Sequence, residues 1–293
     1  MTIPVTYNNI PLPSVVNVSY ASAGSTSSPT LLLLHGFPSS SNQYRNFIPL
    51  LAGSYHVIAP DFPSYGQTTV PGDFAYTFEN LTKVIAAFLL ALKITSYAVY
   101  IFDYGAPVAF RLALQNPEPI KAIITQNGNA YLEGLGHPFW TPIEGIWNSS
   151  NSEAARENVR KLYLGLEGTK YQYTQGFPES DLTLVNPVAY YYDYLQNLGT
   201  KEKQDVQLDL FYDYRTNLPL YPDFQKYLRE SKVPVLAVWG KGDPIFVPPG
   251  AEAFKRDAHD PIVKFVDAGH FALETKVKVI AEDVLKFLKG VKF

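Results

Sequence analysis

Apolar residues along this chain occur in short runs that alternate with longer amphipathic stretches. The run over 30–34 (TLLLL) lies between Pro29 and Gly36 and is typical of a strand buried on both faces. Further strands are predicted over 15–20, 55–59, 97–102, 120–125, 233–239 and 262–266, and helices over 42–51, 78–92, 105–115, 250–256 and 279–288. Strands that alternate with helices predict an α/β fold, with a mostly parallel sheet flanked by helices.

The stretch over 131–217 has a different character. It shows no buried strand pattern, Pro and Gly interrupt its helical patterns, and it holds ten of the chain's 21 tyrosines. These features predict a mostly helical cap inserted after the sixth strand and folded over the end of the sheet. The predicted organisation is a first part of the core over 1–130, the cap over 131–217 and a second part of the core over 218–293.

Composition and charge narrow the classes of partner. The formal net charge of −3 gives no reason to expect nucleic acid or an anionic membrane as a partner. The chain has no cysteine, which excludes disulfides and thiolate metal sites, and no apolar run has the length of a membrane span. The first residues, MTIPVTYNNIPLPS, lack the pattern of a secretory signal, so we expect a cytoplasmic protein. The expected oligomeric state is a monomer or a homodimer.

Residues able to do chemistry stand at the ends of four predicted strands. The segment HGFP (35–38) follows the strand at 30, and Asp103 follows the strand at 97. Asp243 and His270 follow the strands at 233 and 262. Ligands of open parallel sheets bind beyond the carboxyl ends of the strands, so these residues are expected to meet there. The two aspartates also have structural explanations, since Asp103 suits a helix cap and Asp243 suits a turn.

Taken together, the chain order Asp103, Asp243, His270 resembles the nucleophile–acid–histidine order of the α/β-hydrolase fold. The turn at Asp103 is similar to the nucleophile elbow of that fold, with aspartate in place of serine, and the chain has no G-x-S-x-G. The segments HGFP (35–38) and DFPSYG (61–66) resemble the family's oxyanion loop and the loop after its fourth strand. An HGFP segment with an aspartate nucleophile resembles the branch of epoxide hydrolases and haloalkane dehalogenases.

This resemblance implies a two-step hydrolysis through a covalent ester. Asp103 would attack a saturated carbon, because an ordinary carboxyl group, with a pKa of about 4, is ionised at neutral pH and needs no base. His270 would then activate water to hydrolyse the ester, with Asp243 orienting the imidazole ring. The backbone N–H groups of Phe37 and Tyr104 would form the oxyanion hole.

The two branches differ in the groups that stabilise the leaving atom. Epoxide hydrolases use two cap tyrosines, and the segment DYRTN (213–217) resembles the one that carries the second of them. Tyr214 is therefore the first choice for the proton donor. For the other cap tyrosine, the sequence favours Tyr173 over Tyr171, with plain packing as the alternative.

The features typical of dehalogenases are weaker. Haloalkane dehalogenases typically carry Trp after the nucleophile and often Asn or Glu at the third position of HGxP, where this chain has Tyr104 and Phe37. Fluoroacetate dehalogenases have a tyrosine in a similar Asp-Tyr-Arg context, but arginines that grip a carboxylate follow their nucleophile. Here the stretch over 104–110 contains no arginine, and Arg111 lies further along the helix, which argues against a small anionic substrate.

Tyr171 and three further residues are candidates for substrate contacts. Trp140 and Trp147 are expected to line the pocket, to donate to a leaving group, or to pack in the core. Asn127 ends the sixth strand and faces the same mouth of the pocket. It is a candidate substrate contact, with a supporting position behind the catalytic side chains or a place in a turn as the alternatives.

The prediction is a cofactor-independent epoxide hydrolase that acts on a small apolar molecule. Ligand spacing gives no support for a metal site. The alternatives are a hydrolytic dehalogenase, an atypical ester or lactone hydrolase, and a ligand receptor that keeps the pocket of the fold with little turnover.

Overall fold

Eight strands form one sheet in the computed structural model, which describes residues 3–13 and 16–293. The strands are β1 (Thr6–Pro11), β2 (Asn17–Ala23), β3 (Thr30–Leu34), β4 (His56–Pro60), β5 (Tyr97–Ile101), β6 (Ile120–Gln126), β7 (Val235–Gly240) and β8 (Ile262–Val266). Their order is β1-β2-β4-β3-β5-β6-β7-β8. β2 is antiparallel to both of its neighbours, and the remaining pairs are parallel. The predicted α/β fold is confirmed.

Helices flank this sheet. Within the described ranges they are α1 (Ile48–Leu51), α2 (Phe78–Ala91), α3 (Gly105–Gln115), α4 (Trp140–Asn148), α5 (Glu153–Tyr163), α6 (Leu166–Thr174), α7 (Pro187–Asp193), α8 (Lys201–Asp213), α9 (Tyr221–Ser231), α10 (Pro248–Asp257) and α11 (Leu273–Leu288). Helices α4–α8 fall in the stretch predicted as the cap, whose boundaries at 131 and 217 stay a prediction. Among the residues described, no helix combines the length and the apolar character needed to cross a membrane.

Most predicted elements agree with the structure to within three residues, and β3, α3 and β8 agree at both ends. The helix predicted over 42–51 is wrong, because Ser41–Tyr44 forms a short 3₁₀ turn and α1 begins only at Ile48. Pro49 has no N–H to donate and cannot continue a helix from that turn. The last helix begins at Leu273, six residues before its predicted start. Val15, the predicted start of β2, lies outside the described residues.

Sequence reasoning missed β1. This strand is the edge of the sheet and pairs only with β2 among the described residues. Its side chains are exposed or half-buried throughout, so it has no apolar pattern to distinguish it from a loop.

The register of the parallel strands brings the predicted functional segments together at the carboxyl ends of these strands. Leu34 of β3 pairs with Ile101 of β5, so the HGFP segment and Asp103 leave the sheet side by side. Gly240 of β7 pairs with Val266 of β8, which places the segments carrying Asp243 and His270 together in the same way.

A glycine at the start of α3 makes this close arrangement possible. A Cβ added at Gly105 would lie 2.2 Å from the carbonyl oxygen of Leu34, whereas one at Gly53 would meet nothing within 4 Å. We expect Gly105→Ala to lower the free energy of unfolding by about 1–3 kcal/mol through overpacking, and Gly53→Ala to change it by less than about 0.5 kcal/mol. Urea denaturation measures both, and equal stability of the two variants would contradict the close packing.

Candidate active site

Asp103 lies in the tight turn between β5 and α3. Its backbone has a φ of 47°, in the left-handed region, which costs a non-glycine residue about 1–3 kcal/mol. β5 lies in the middle of the sheet and is buried along its whole length, so the chain that enters this turn is held in place. A Cβ at Gly36 would lie 2.3 Å from the Cβ of Asp103, which means that only glycine lets the HGFP segment approach so closely.

Two backbone N–H groups hold one oxygen of the Asp103 carboxylate. The N–H of Phe37 donates to Oδ1 at 2.7 Å, and the N–H of Tyr104 donates to the same atom at 2.6 Å. Asp103 is only 4% exposed, so water screens these bonds little. The structure thus brings together the nucleophile and the two donors that the resemblance implied.

The imidazole of His270 lies between the two carboxylates. Its Nδ1–H donates to Oδ2 of Asp243 at 2.7 Å. Its Nε2 lies 3.7 Å from Oδ2 of Asp103 and forms no hydrogen bond with the part of the chain that the structure describes. The two oxygens of Asp103 therefore differ, since Oδ1 is held by the backbone while Oδ2 faces the imidazole.

Asn127 contacts Asp243 and fixes the position of its carboxylate. Its Nδ2 donates to Oδ2 of Asp243 at 2.6 Å, and its Oδ1 accepts the N–H of Gly240 at 3.0 Å. The N–H of Ile245 donates to Oδ1 of Asp243 at 2.7 Å, so both carboxylate oxygens have donors. The prediction of Asn127 as a substrate contact is corrected by these bonds, which use its amide to fix Asp243.

The charges around His270 control its protonation. Burial alone would lower the pKa of His270, because a buried imidazolium loses its hydration. The nearby carboxylates of Asp243 and Asp103 outweigh burial and raise the pKa to about 9. The free site therefore holds an imidazolium between two carboxylates at neutral pH. Loss of the charge on Asp103 would lower the pKa of His270.

His35 stabilises the loop that carries Phe37. Its Nε2 accepts the N–H of Phe62 at 2.9 Å. Burial lowers the pKa of His35 to about 3, so the ring stays neutral and able to accept this bond. These contacts give His35 a structural role in this loop.

Tyr214 lies in a cage of aromatic rings at the end of α8. The rings have centroids 4.6–6.5 Å from its own and belong to Phe78, Tyr104, Trp140, Trp147 and Phe246. Burial raises the pKa of Tyr214 well above 10, and the charge of Asp103 adds to this effect. Tyr214 is therefore a protonated phenol within electrostatic range of the predicted nucleophile.

Trp140 and Trp147 line this aromatic cage, but their indole N–H groups form hydrogen bonds elsewhere. The indole N–H of Trp140 donates to the carbonyl oxygen of Ile245 at 2.8 Å. That of Trp147 donates to the carbonyl oxygen of Phe211 at 2.7 Å. The two side chains thus contribute apolar surface around Tyr214 and have their donors committed to the backbone.

The structure does not bring Tyr173 or Tyr171 into the aromatic cage. The hydroxyl of Tyr173 donates to Asp193, and its ring stacks on Phe271 at 3.9 Å. Tyr171 is 38% exposed and lies beside Phe139 in a surface groove. The prediction of Tyr173 as a proton donor is corrected by its bond to Asp193, which occupies its hydroxyl. Tyr171 as a pocket residue is corrected by its position at the surface.

Sequence reasoning missed Tyr221, the first residue of α9. Its hydroxyl lies 3.0 Å from that of Tyr214, and the residue is 1% exposed. Tyr221 belongs to no motif, and its spacing of seven residues from Tyr214 gave no signal, because an irregular segment separates α8 from α9.

No group of three or more His, Asp or Glu residues in the described ranges is arranged to hold a metal ion. The reactive groups that the structure brings together are the carboxylates of Asp103 and Asp243, the imidazole of His270 and the phenols. Such an arrangement can attack an electrophilic carbon, stabilise an oxyanion and transfer protons.

Comparison with known proteins agrees with this geometry. The family described as alpha/beta hydrolase fold matches residues 29–277. The chain belongs to the α/β-hydrolase fold family. An uncharacterized hydrolase of Saccharomyces cerevisiae is 47% identical over 284 residues, covering 95% of this chain and 96% of the relative.

Two more relatives of this hydrolase carry names of specific activities. A haloalkane dehalogenase of Mesorhizobium japonicum is 42% identical over 145 residues, covering 50% of this chain and 43% of the relative. An epoxide hydrolase of Caballeronia sordidicola is 34% identical over 155 residues, covering 52% of this chain and 41% of the relative. The predicted resemblance to these two groups within the superfamily is confirmed.

The charge coupling in this hydrolase can be measured by NMR of labelled imidazoles. We expect the His270 ring to titrate at about pH 9 in the wild type. In Asp103→Asn it should titrate at a lower pH, because a neutral amide no longer favours the imidazolium. Asp73→Asn, which alters an exposed carboxylate, is the control and should leave the value unchanged. Equal His270 pKa values in the wild type and Asp103→Asn would refute the coupling.

Proposed function

We propose that this α/β-hydrolase opens epoxides to diols through an alkyl ester of Asp103. The observation that carries the proposal is the unequal setting of the two Asp103 oxygens. Oδ1 accepts two backbone N–H groups, while Oδ2 faces Nε2 of His270 at 3.7 Å. A carboxylate placed in this way has one oxygen free to attack and the other ready to carry negative charge.

In the first step, Oδ2 of Asp103 attacks a ring carbon of the epoxide. A C–O ester bond forms and the C–O bond of the strained ring breaks. The released alkoxide takes the phenol proton of Tyr214. The phenolate then regains a proton and the imidazolium of His270 loses one, which the vanished charge on Asp103 favours. The ester form then holds a neutral phenol and a neutral imidazole.

In the second step, neutral His270 takes a proton from water, and the resulting hydroxide attacks Cγ of Asp103. Negative charge forms on Oδ1, where the N–H groups of Phe37 and Tyr104 already point, and each donor contributes about 3 kcal/mol. The bond from Cγ to Oδ2 then breaks, and the departing alkoxide takes the proton of the hydroxyl that water added to Cγ, which gives the diol and leaves a carboxylate. The carboxylate keeps one oxygen from water, and the imidazolium is restored.

Contacts on the leaving-group side support an epoxide over a carbon–halogen bond. The indole N–H groups of Trp140 and Trp147 already donate to backbone carbonyls, and the side chain of Phe37 has no donor. A phenol held in apolar surroundings can give a whole proton to an alkoxide, which is a stronger base than a halide.

The substrate is proposed to be neutral and apolar. Arg111, the arginine nearest to the nucleophile in the sequence, donates to Oδ1 of Asn217 at 3.0 Å and pairs with Glu79 at 3.4 Å. Its guanidinium is therefore committed within the protein. The aromatic rings around Tyr214 offer dispersion contacts suited to an uncharged molecule.

Hydrolytic dehalogenation is the second candidate. The 42% identity to a named haloalkane dehalogenase over half of this chain favours it. In that reaction the phenol of Tyr214 would stabilise the leaving halide by a hydrogen bond without giving up its proton. Separate measurement of diol and halide release by the wild type, with panels of epoxides and haloalkanes, distinguishes the two reactions.

The ester intermediate can be trapped by replacing His270. We expect His270→Gln to alkylate Asp103 but not to hydrolyse the ester, because glutamine cannot deprotonate water. Mass spectrometry should find the substrate mass on the peptide that contains Asp103. The double variant Asp103→Asn/His270→Gln is the control and should carry no adduct. Normal turnover by His270→Gln, or an adduct on another residue, would disprove the assigned roles.

Replacing Tyr214 tests the proton donor. Tyr214→Phe keeps the ring and removes the hydroxyl, so alkylation of Asp103 in a single turnover should slow by about 10- to 1000-fold. Tyr212→Phe removes a phenol from the same helix, one that packs under the guanidinium of Arg215 at 3.5 Å. This control should alkylate at the wild-type rate. The proposal fails if Tyr214→Phe is as fast as the wild type, or if the wild type releases halide but forms no diol from any epoxide.

A further inference from the structure

Tyr214 shares a hydrogen bond with a second buried phenol. The hydroxyl oxygens of Tyr214 and Tyr221 lie 3.0 Å apart, and both side chains are almost completely buried. Either hydroxyl could donate in an isolated pair of phenols. The direction matters, because a phenol that donates to its neighbour has no proton left for a substrate.

The surroundings of Tyr221 favour one direction. Asn129 has a fixed amide orientation, since its Oδ1 accepts the N–H of Tyr131 at 3.2 Å and its Nδ2 donates to the carbonyl oxygen of Tyr131 at 2.7 Å. The same Nδ2 lies 3.5 Å from the hydroxyl oxygen of Tyr221. An amide nitrogen donates and does not accept, so the phenol proton of Tyr221 cannot point towards Asn129. Of the two polar contacts that the Tyr221 hydroxyl makes among the described residues, only the hydroxyl oxygen of Tyr214 can accept its proton.

We propose that Tyr221 is a positioning residue, which donates to Tyr214 and so leaves the Tyr214 proton directed at the leaving group. This inference rests on the proposed epoxide opening. It gives the site a one-way chain of donors, from Asn129 to Tyr221 to Tyr214 to the leaving oxygen. Each donated bond polarises the next one along such a chain.

The rest of the aromatic cage leaves this chain intact. The N–H groups of Trp140 and Trp147 are bound to backbone carbonyls, so neither competes for the oxygen of Tyr214. Tyr221 begins α9, which packs against α3 of the predicted core, whereas Tyr214 directly follows α8. A residue of α9, in the predicted core, therefore sets the direction of the hydroxyl proton of Tyr214, at the end of the predicted cap.

The test is single-turnover kinetics of Tyr221→Phe with an epoxide that the wild type opens. Loss of one neutral hydrogen bond should slow alkylation of Asp103 by about 3- to 10-fold. Hydrolysis of the ester should stay within about twofold of the wild type, because Tyr214 acts only in the first step. Tyr214→Phe/Tyr221→Phe should be no slower than Tyr214→Phe, because Tyr221 acts only through Tyr214.

Tyr227→Phe is the matched control. Tyr227 is buried on the same helix and lines a groove with Lys226 and Glu230 at the opposite end of the strands. Its replacement should leave both steps unchanged. The inference is overturned if Tyr221→Phe alkylates as fast as the wild type, slows both steps equally, or adds its loss to that of Tyr214→Phe.

A second readout does not depend on turnover. In protein labelled with ¹³C at the tyrosine Cζ atoms, the Tyr214 signal is the one that Tyr214→Phe removes. It should shift in Tyr221→Phe, where its oxygen no longer accepts a bond, and stay in place in Tyr227→Phe. An unshifted Tyr214 signal in Tyr221→Phe overturns the inference whatever the substrate. If the signal shifts in Tyr221→Phe but the wild type makes no diol, only the proposed function is rejected.

Discussion

The whole site depends on holding one carboxylate oxygen of Asp103 between two backbone N–H groups. This needs a left-handed backbone at Asp103, with a φ of 47°, and glycine at 36 and 105, where a Cβ would overlap its neighbours. The local strain of about 1–3 kcal/mol is offset by the buried strand and the helix on either side. In the proposed reaction, the donors stand in position before any charge develops, so no reorganisation is needed.

A balance of charges follows from that placement. His270 is completely buried between two carboxylates, which together raise its pKa despite the cost of burial. If Asp103 becomes an ester, one of these charges disappears and the imidazole more readily becomes neutral. The proposed first step would thus prepare the base for the second. Asn127 and the N–H of Ile245 hold Asp243, so the remaining charge keeps its place.

The opposite wall of the site is apolar, and its polar atoms are few. Aromatic rings surround Tyr214, and the indole donors among them are already paired with the backbone. In such surroundings one hydroxyl proton has a large effect, because little water competes with it. The pairing of Tyr214 with Tyr221 joins the predicted cap to the core at the point where the proposed leaving group would be protonated.

Local patterns were enough to predict β3, β5 and α3, and the resemblance of the strand-end motifs indicated Asp103, Asp243 and His270. These features lie within short stretches whose register in a parallel sheet follows from the fold. β1 was missed because an edge strand with exposed side chains carries no apolar pattern. The partners of Tyr173, Asn127 and Tyr221 could not be read from the sequence. Each partner is set by packing between segments far apart in the chain, which only the tertiary structure decides.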